Sequence, residues 1–428
     1  MFIEVYVLIG SLFLFILLGL PLFLAIGCSS LVTIFLFLSD LPLALIPHNI
    51  IGGIDSFSLL AIPFFFLAGE IMNSSGQTNR IIRFAQGLVG NIPGGLGHVN
   101  VVTNVIYAGI SGAAVADAAA IGSVMIPAMK KGGYCSKFSA AVNAASSTIG
   151  PIFPPSIPMI MYGAIAGVSV GKLFLAGIIP GLIMGLYFMV ICYFLAVRRG
   201  YPRTSRMGFA ELVKSGMEVF WAMLSPIIIV GGILFGIFTP TEAGAMAVLY
   251  SAIVGAVVYR ELKLSELLVI FKRTLVNSAT VLILVGVSQV FGWVVAQSNI
   301  GVQIGALMTA LSTNPTIIFL ELNIVFLIIG MIMDPLAALI IFVPIFLPIT
   351  QSVGIDPIQF GLVVVLNLMI GLSTPPVGYL LYMTAALAEI NVEKVISEMM
   401  PFLAAMIIVL IMCTYWDSMV LFLPNLMN

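Results

Sequence analysis

Charge is what this chain has least of. Only 8% of its 428 residues are Asp, Glu, Lys or Arg, while 61% are hydrophobic; soluble domains carry about 25% charged residues. That deficit excludes a soluble globular class, and a net charge of −1 argues against a nucleic-acid partner or a broad basic patch. Histidine is nearly missing: His48 and His98 stand alone, so a metal centre or a haem lacks ligands. Cys28, Cys135, Cys192 and Cys413 are far apart, with no Cys-x-x-Cys among them, and read as reduced, packed thiols. An ATP site is missing too. Gly167-Val168-Ser169-Val170-Gly171-Lys172-Leu173 is one residue short of a phosphate loop, with Leu173 where Ser or Thr is required. No catalytic cluster is found, so neither an enzyme nor an organic cofactor is expected.

What the chain does have is long apolar runs. Ile178–Val197 and Phe402–Val420 are long enough to cross a hydrocarbon core of ~30 Å, which makes this a polytopic membrane protein. The start, Met1-Phe2-Ile3-Glu4, lacks a basic n-region and stays apolar to Leu38. That predicts a retained helix rather than a cleaved signal, divided in two at Gly19-Leu20-Pro21.

Two of the apolar segments carry the same interruption. Gly150-Pro151-Ile152-Phe153-Pro154-Pro155 and Gly371-Leu372-Ser373-Thr374-Pro375-Pro376 both read Gly-x-x-x-Pro-Pro, 221 positions apart. Proline lacks the amide proton and restricts the residue before it, so no helix runs undisturbed through either stretch. The same offset relates Gly109 to Gly330, Pro127 to Pro348 and Gly133 to Gly354; Gly69 and Ser75 match Gly292 and Ser298 at 223. This is the pattern of a duplicated unit. Paired broken helices at matching places mark the binding region of a secondary transporter.

The predicted plan is all-α, with a re-entrant helical hairpin and a discontinuous helix in each repeat. Residues 1–76 are scaffold helices, with a loop holding Pro42, Pro47 and Gly52-Gly53. Residues 77–171 form a first transport region, with hairpin 93–129 and broken helix 138–162. Residues 172–273 are scaffold again, including an amphipathic arm at 209–219. Residues 274–390 are the second transport region, with hairpin 315–350 and broken helix 358–384. Residues 391–428 hold the C-terminal span. Threaded with the N-terminus in the periplasm, every basic residue but Lys172 falls on the cytoplasmic side, 15 of 16, as the positive-inside rule asks. The two hairpins then enter from opposite sides, so the repeats are inverted.

Asp334 is the sharpest single residue. A carboxylate inside an apolar hairpin costs about 2.5–3.5 kcal/mol on insertion scales, and no Lys or Arg lies in either hairpin or broken helix. A Na⁺ ion with oxygen ligands would balance it; capping of the helix that starts at Pro335 explains it as well. The second Na⁺ site is thus expected at Gly330, Asp334, Gly371, Ser373 and Thr374. The first, with Ala113 where the second has Asp334, is expected at Gly109, Ser111, Ala113, Ser147 and Gly150, working with neutral oxygens. Asp117, one turn on, is assigned a capping or indirect role. Asn143, Ser146, Ser156 and Thr374 are the candidate substrate contacts, and Glu242 is read as a helix cap after Thr239-Pro240-Thr241.

The chain resembles the large membrane subunit of tripartite ATP-independent periplasmic (TRAP) transporters. The likeness rests on Phe238-Thr239-Pro240-Thr241-Glu242-Ala243-Gly244, Ser111–Asp117, Gly150–Pro155, Met333-Asp334-Pro335 and Thr374-Pro375-Pro376. It implies Na⁺-coupled import of a carboxylate across the bacterial inner membrane by an elevator motion, with two or more Na⁺. It also implies a four-helix small membrane subunit, here expected as a separate chain, and a periplasmic binding protein that delivers the substrate. Sialic acid is the favoured substrate and a C4-dicarboxylate the next; a proton-coupled carrier or an anion exporter of the same architecture is the alternative.

Overall fold

The computed structural model describes residues 3–38, 42–204, 206–298, 303–306, 308 and 314–427. All regular structure among them is helical, and eight helices are long and apolar enough to cross a membrane. Ile3–Leu17 and Leu22–Phe37 are separated at Gly19, whose φ of +80° suits a residue without Cβ. The expected loop around Pro47 instead contains a helix, Leu45–Ile54. Pro47 sits in its first turn, where no intrahelical amide bond is lost.

The repeat is a repeat of elements. The first hairpin consists of Gly95–Ser111 and Ala114–Lys131, the second of Pro315–Ile332 and Pro335–Ser352. The broken helices follow, Ser136–Ser147 with Ile157–Ala166 and Pro357–Leu372 with Tyr379–Ala388. Hairpin boundaries in the two halves keep the offset seen in the sequence. So do the connecting glycines, Gly133 at φ +85° and Gly354 at φ +81°, and both breaks hold a cis Pro-Pro bond.

The helices sort into two bodies. In one, Leu264–Gln297 lies across Leu22–Phe37, Leu45–Ile54 and Ala61–Ser74, while Pro240–Ile253 packs on Ala61–Ser74 and on Phe209–Leu234. The other holds both hairpins, both broken helices, Val392–Tyr415 and Asp417–Asn425. Val170–Arg199, expected in the scaffold, packs against the first hairpin, the second broken helix and the last span, so it belongs with the hairpins. Gln77–Val89, expected in the first transport region, packs on Gly95–Ser111 of the first hairpin and is also tied to the scaffold helix Phe209–Leu234. Arg80 pairs with Glu261 at 2.6 Å and stacks on Tyr259, and Arg83 reaches Glu211 at 3.1 Å and Glu218 at 3.7 Å. The last span runs from Val392 to Tyr415, with a separate short helix beyond Trp416.

Lipid tails are as apolar as leucine, so close packing and hydrogen bonds hold such bodies together. Phe188 meets Phe402 edge to face at 5.7 Å, and the Tyr162 ring lies over Gly361 while its hydroxyl donates to the Pro357 carbonyl at 2.6 Å. Glu398, 5% exposed, closes the end near Lys137: it takes Lys137 at 2.7 Å and both nitrogens of Arg199 at 2.7 and 3.0 Å. One carboxylate thereby joins the first broken helix, Val170–Arg199 and the last span.

Candidate functional site

Each hairpin tip meets the break of its own repeat. In the first, Gly112 turns the chain at φ +63° and its carbonyl accepts from the Ile157 amide at 3.4 Å. A Cβ at Gly112 would strike the Pro155 carbonyl, so hairpin and break touch through backbone. The Ser111 hydroxyl donates to Asp117 Oδ1, and the Ala113 amide reaches Ser111 Oγ at 3.4 Å. Asp117 is fully buried. Its Oδ2 has no hydrogen-bond partner and is directed at Gly150.

The first tip and its break thus have a carboxylate, Asp117, beside their neutral oxygens. Asp117 supplies a carboxylate from one turn beyond the tip, and the break contributes Gly150, whose amide bonds the Ser147 carbonyl at 3.2 Å. The sequence signal was present as an Asp in the first turn after a small-residue tip. A strict comparison of Ala113 with Asp334 passes over it. Ser147 turns its hydroxyl to the Ala144 carbonyl, and Gly109 faces Pro226 of the scaffold, where an added Cβ would lie 2.7 Å from the ring. Neither presents a side-chain ligand to the tip.

In the second repeat the contact is glycine on glycine. A Cβ at Gly371 would lie 2.6 Å from the Gly330 Cα, so this crossing admits no side chain. Met333 is extended, and Asp334 caps the following helix, taking the amides of Leu336 at 2.9 Å and Ala337 at 3.4 Å on Oδ1. Both bonds fall on one oxygen, leaving Oδ2 uncommitted. Ser373 is fully buried with a hydroxyl that finds no partner. Thr374 turns its hydroxyl back to the Ile370 carbonyl at 2.6 Å.

Three of the four substrate candidates are enclosed in this conformation. Asn143 is fully buried, donates to the Ala118 carbonyl at 2.9 Å and accepts from Asn100 at 3.2 Å. Ser146 bonds the Val142 carbonyl, and Ser156 caps Met159 at 3.2 Å while donating to the Pro151 carbonyl. A matching chain in the second half runs from Asn367 to Asn323 to Thr414. These networks brace each repeat internally. Thr374 is half-buried, and just past it Tyr379 and Tyr382 stand on one helix face, 53% and 52% exposed. The sequence reading missed both phenols, which follow the break at Gly378.

Glu242 is a cap, as expected: Thr239 and Glu242 form a reciprocal capping box, with Glu242 Oε2 taking the Thr239 amide at 2.8 Å. The near-phosphate loop is a helix connection, with Gly167 ending one helix and Ser169 capping the next. Among the described residues no cluster of three His, Cys, Asp or Glu exists. The two crossings therefore offer only hydroxyl, carboxylate and carbonyl oxygens, a donor set that suits a hard cation such as Na⁺.

A family model described as "Tripartite ATP-independent periplasmic transporter, DctM component" matches residues 9–419. The chain belongs to this TRAP transporter family. It is 42% identical to "Uncharacterized protein YgiK" of Salmonella typhimurium, over 99% of this chain and 98% of that one. It is 41% identical to the sialic acid TRAP transporter large permease protein SiaM of Vibrio cholerae, over 89% of each. Other matching relatives are named for isethionate, 2,3-diketo-L-gulonate and C4-dicarboxylates. The fold is shared with the Alcanivorax borkumensis YdaH transporter, with TM-score 0.64 at 14% identity over 87% of both chains. As a TRAP large permease the chain is a transporter and not an enzyme, and its family works with a small membrane subunit and a periplasmic binding protein.

Proposed function

We propose that this permease imports an organic acid across the bacterial inner membrane in symport with Na⁺, its N-terminus in the periplasm. Sialic acid is the favoured substrate and a C4-dicarboxylate the next. The observation that carries the reading is a pair of orphaned buried oxygens, Asp117 Oδ2 and Ser373 Oγ, one at each hairpin–break crossing. Leaving a buried polar group unpaired costs about 1–3 kcal/mol, and a cation at each crossing removes that cost. Ser111, Asp117 and the backbone at Ser147–Gly150 would hold one ion; Asp334, Ser373 and carbonyls near Gly330 and Gly371 would hold another. With one Na⁺ per crossing, inward movement on the membrane potential adds about 2.3 kcal/mol per charge per 100 mV. That offsets the charge of an anionic substrate.

Helices begin at Ala114, Ile157, Pro335 and Tyr379, each directly after a tip or a break. Their N-terminal amides favour a carboxylate, and Thr374, Tyr379 and Tyr382 supply polar contacts beside it. The hairpin body would ride as an elevator past a scaffold formed by Ile3–Ser74, Phe209–Ile253 and Leu264–Gln297. A small membrane subunit would bind the scaffold, and a periplasmic binding protein would deliver the substrate.

Uptake in proteoliposomes containing the partner subunits tests this directly. Accumulation of sialic acid or succinate that requires an inward Na⁺ gradient is the expected result. Uptake that continues without Na⁺ on a proton gradient would pass the role of Asp117 and Asp334 to proton carriage. That second reading draws on the same two carboxylates.

A further inference from the structure

Two cavities lie where the scaffold faces the hairpin body. One of about 260 Å³ is bounded by His48, Asn49, Ser56 and Gln289 on the scaffold side and by Met161 and Ile165 on the other. The second, of about 220 Å³, shares Ile165, Val285 and Gln289 with it and extends to Ile340 and Pro344 of the second hairpin. Small-molecule sites occupy ~300–1,000 Å³ and combine apolar walls with a few placed polar groups. Each cavity alone is smaller than that, but the two adjoin along Ile165, Val285 and Gln289 and have that mixed lining.

Its polar groups are uncommitted. Among the described residues, the side chains of His48, Asn49, Ser56 and Gln289 make no hydrogen bond within the protein, unlike Asn143, Ser146 and Ser156. No Asp, Glu, Lys or Arg lines either cavity, so recognition there is by hydroxyl, amide and imidazole groups.

The position in the membrane follows from the helix geometry. Gln289 lies sixteen residues beyond Arg273 on Leu264–Gln297, about 24 Å along the axis at 1.5 Å per residue. Lys272 and Arg273 mark the cytoplasmic end of that helix, so the cavity opens toward the periplasmic end. The other walls agree: Ile165 closes the first broken helix, and His48–Ser56 links the second and third spans.

We propose that this interbody cavity is a periplasm-side waiting site for a hydroxyl-bearing organic acid. The hydroxyls bond Asn49, Ser56 and Gln289, and the imidazole of His48 faces the carboxylate. The proposal rests on the import reading and adds a second binding place ahead of the hairpin tips. Because one wall is static and the other moves with the hairpins, a ligand touching both favours the conformation seen here by its differential affinity.

The test is cysteine protection. Gln289→Cys and, separately, Asn49→Cys are exposed in right-side-out membranes to a membrane-impermeant methanethiosulfonate, with the parent chain as control for Cys28. Both are expected to label. Sialic acid or 2,3-diketo-L-gulonate, at ten times its dissociation constant, should slow labelling by about ten-fold, in line with site occupancy. Succinate, which lacks hydroxyls, should not. Absence of periplasmic labelling at both positions, or equal labelling with every acid, overturns the waiting site. Uptake is measured on the unsubstituted complex in parallel: protection without uptake sinks the import reading and upholds the site, and uptake without protection does the reverse.

Discussion

At the scale of single residues, the two carboxylates divide their work differently. Asp334 already has two amide donors on one oxygen, and an asparagine would keep that cap. Asp334→Asn should therefore fold, while the Na⁺ concentration for half-maximal uptake rises more than ten-fold; each factor of ten corresponds to about 1.4 kcal/mol. An unchanged Na⁺ curve would leave Asp334 as a cap and nothing more. Asp117 has one donor, Ser111, and one oxygen without a partner. Ser111→Ala strips that donor from a buried carboxyl and should cost about 1–3 kcal/mol of stability; because Ser111 is also a proposed ion ligand, Na⁺ should raise the variant's detergent melting curve less than the parent's. If Na⁺ stabilises the parent and the variant equally, or neither, the first ion site is elsewhere. Ser373→Ala is expected to weaken Na⁺ dependence more than Thr374→Ala, since the Thr374 hydroxyl already bonds the Ile370 carbonyl.

At the scale of elements, the crossing of Gly330 with Gly371 has no room for a methyl group. Gly371→Ala should cost about 1–3 kcal/mol through overpacking, seen as earlier melting together with reduced uptake. Both glycines were legible in the sequence, because duplication leaves Gly109 and Gly150 at the same offset, although in the first repeat these meet Pro226 and Asp117 rather than each other. The hairpins, the breaks and the tip at Asp334 were legible for that reason. Asp117 was not, because the two halves place their carboxylates four positions apart in the repeat. The burial of Asn143, Ser146 and Ser156 was not legible either: a hydroxyl or amide inside an apolar helix reads the same whether it faces a ligand or its own carbonyls. The Glu398 clamp joins residues as distant as Lys137 and Glu398 in a pattern with no local signature. Glu398→Ala leaves Lys137 and Arg199 facing each other without the carboxylate; both cations are partly exposed, so the loss of their hydrogen bonds should cost about 1–3 kcal/mol. A melting temperature within experimental error of the parent would show the clamp to be dispensable.

At the scale of the whole molecule, the division into two bodies makes a mechanical claim that can be tested by fixing one contact at a time. A Cβ placed on Gly292 of the scaffold helix would lie 3.8 Å from the Pro344 Cβ of the second hairpin, within the ~3.5–4.5 Å that a disulfide requires. Gly292→Cys combined with Pro344→Cys should therefore form a cross-link under mild oxidation, and because it bridges the two bodies, uptake should stop and return on reduction. Gly244 and Phe64 supply the control: a Cβ on Gly244 would lie 3.0 Å from the Phe64 Cβ, so their helices must part by about half an ångström for a disulfide to close, and both belong to the scaffold. Gly244→Cys with Phe64→Cys should cross-link without stopping uptake. An elevator predicts this contrast because only relative motion of the two bodies carries the hairpin tips across the membrane. If the Gly292–Pro344 cross-link forms and uptake continues at the reduced rate or faster, the hairpin body does not slide against Leu264–Gln297, and local opening of the hairpins must carry the substrate instead.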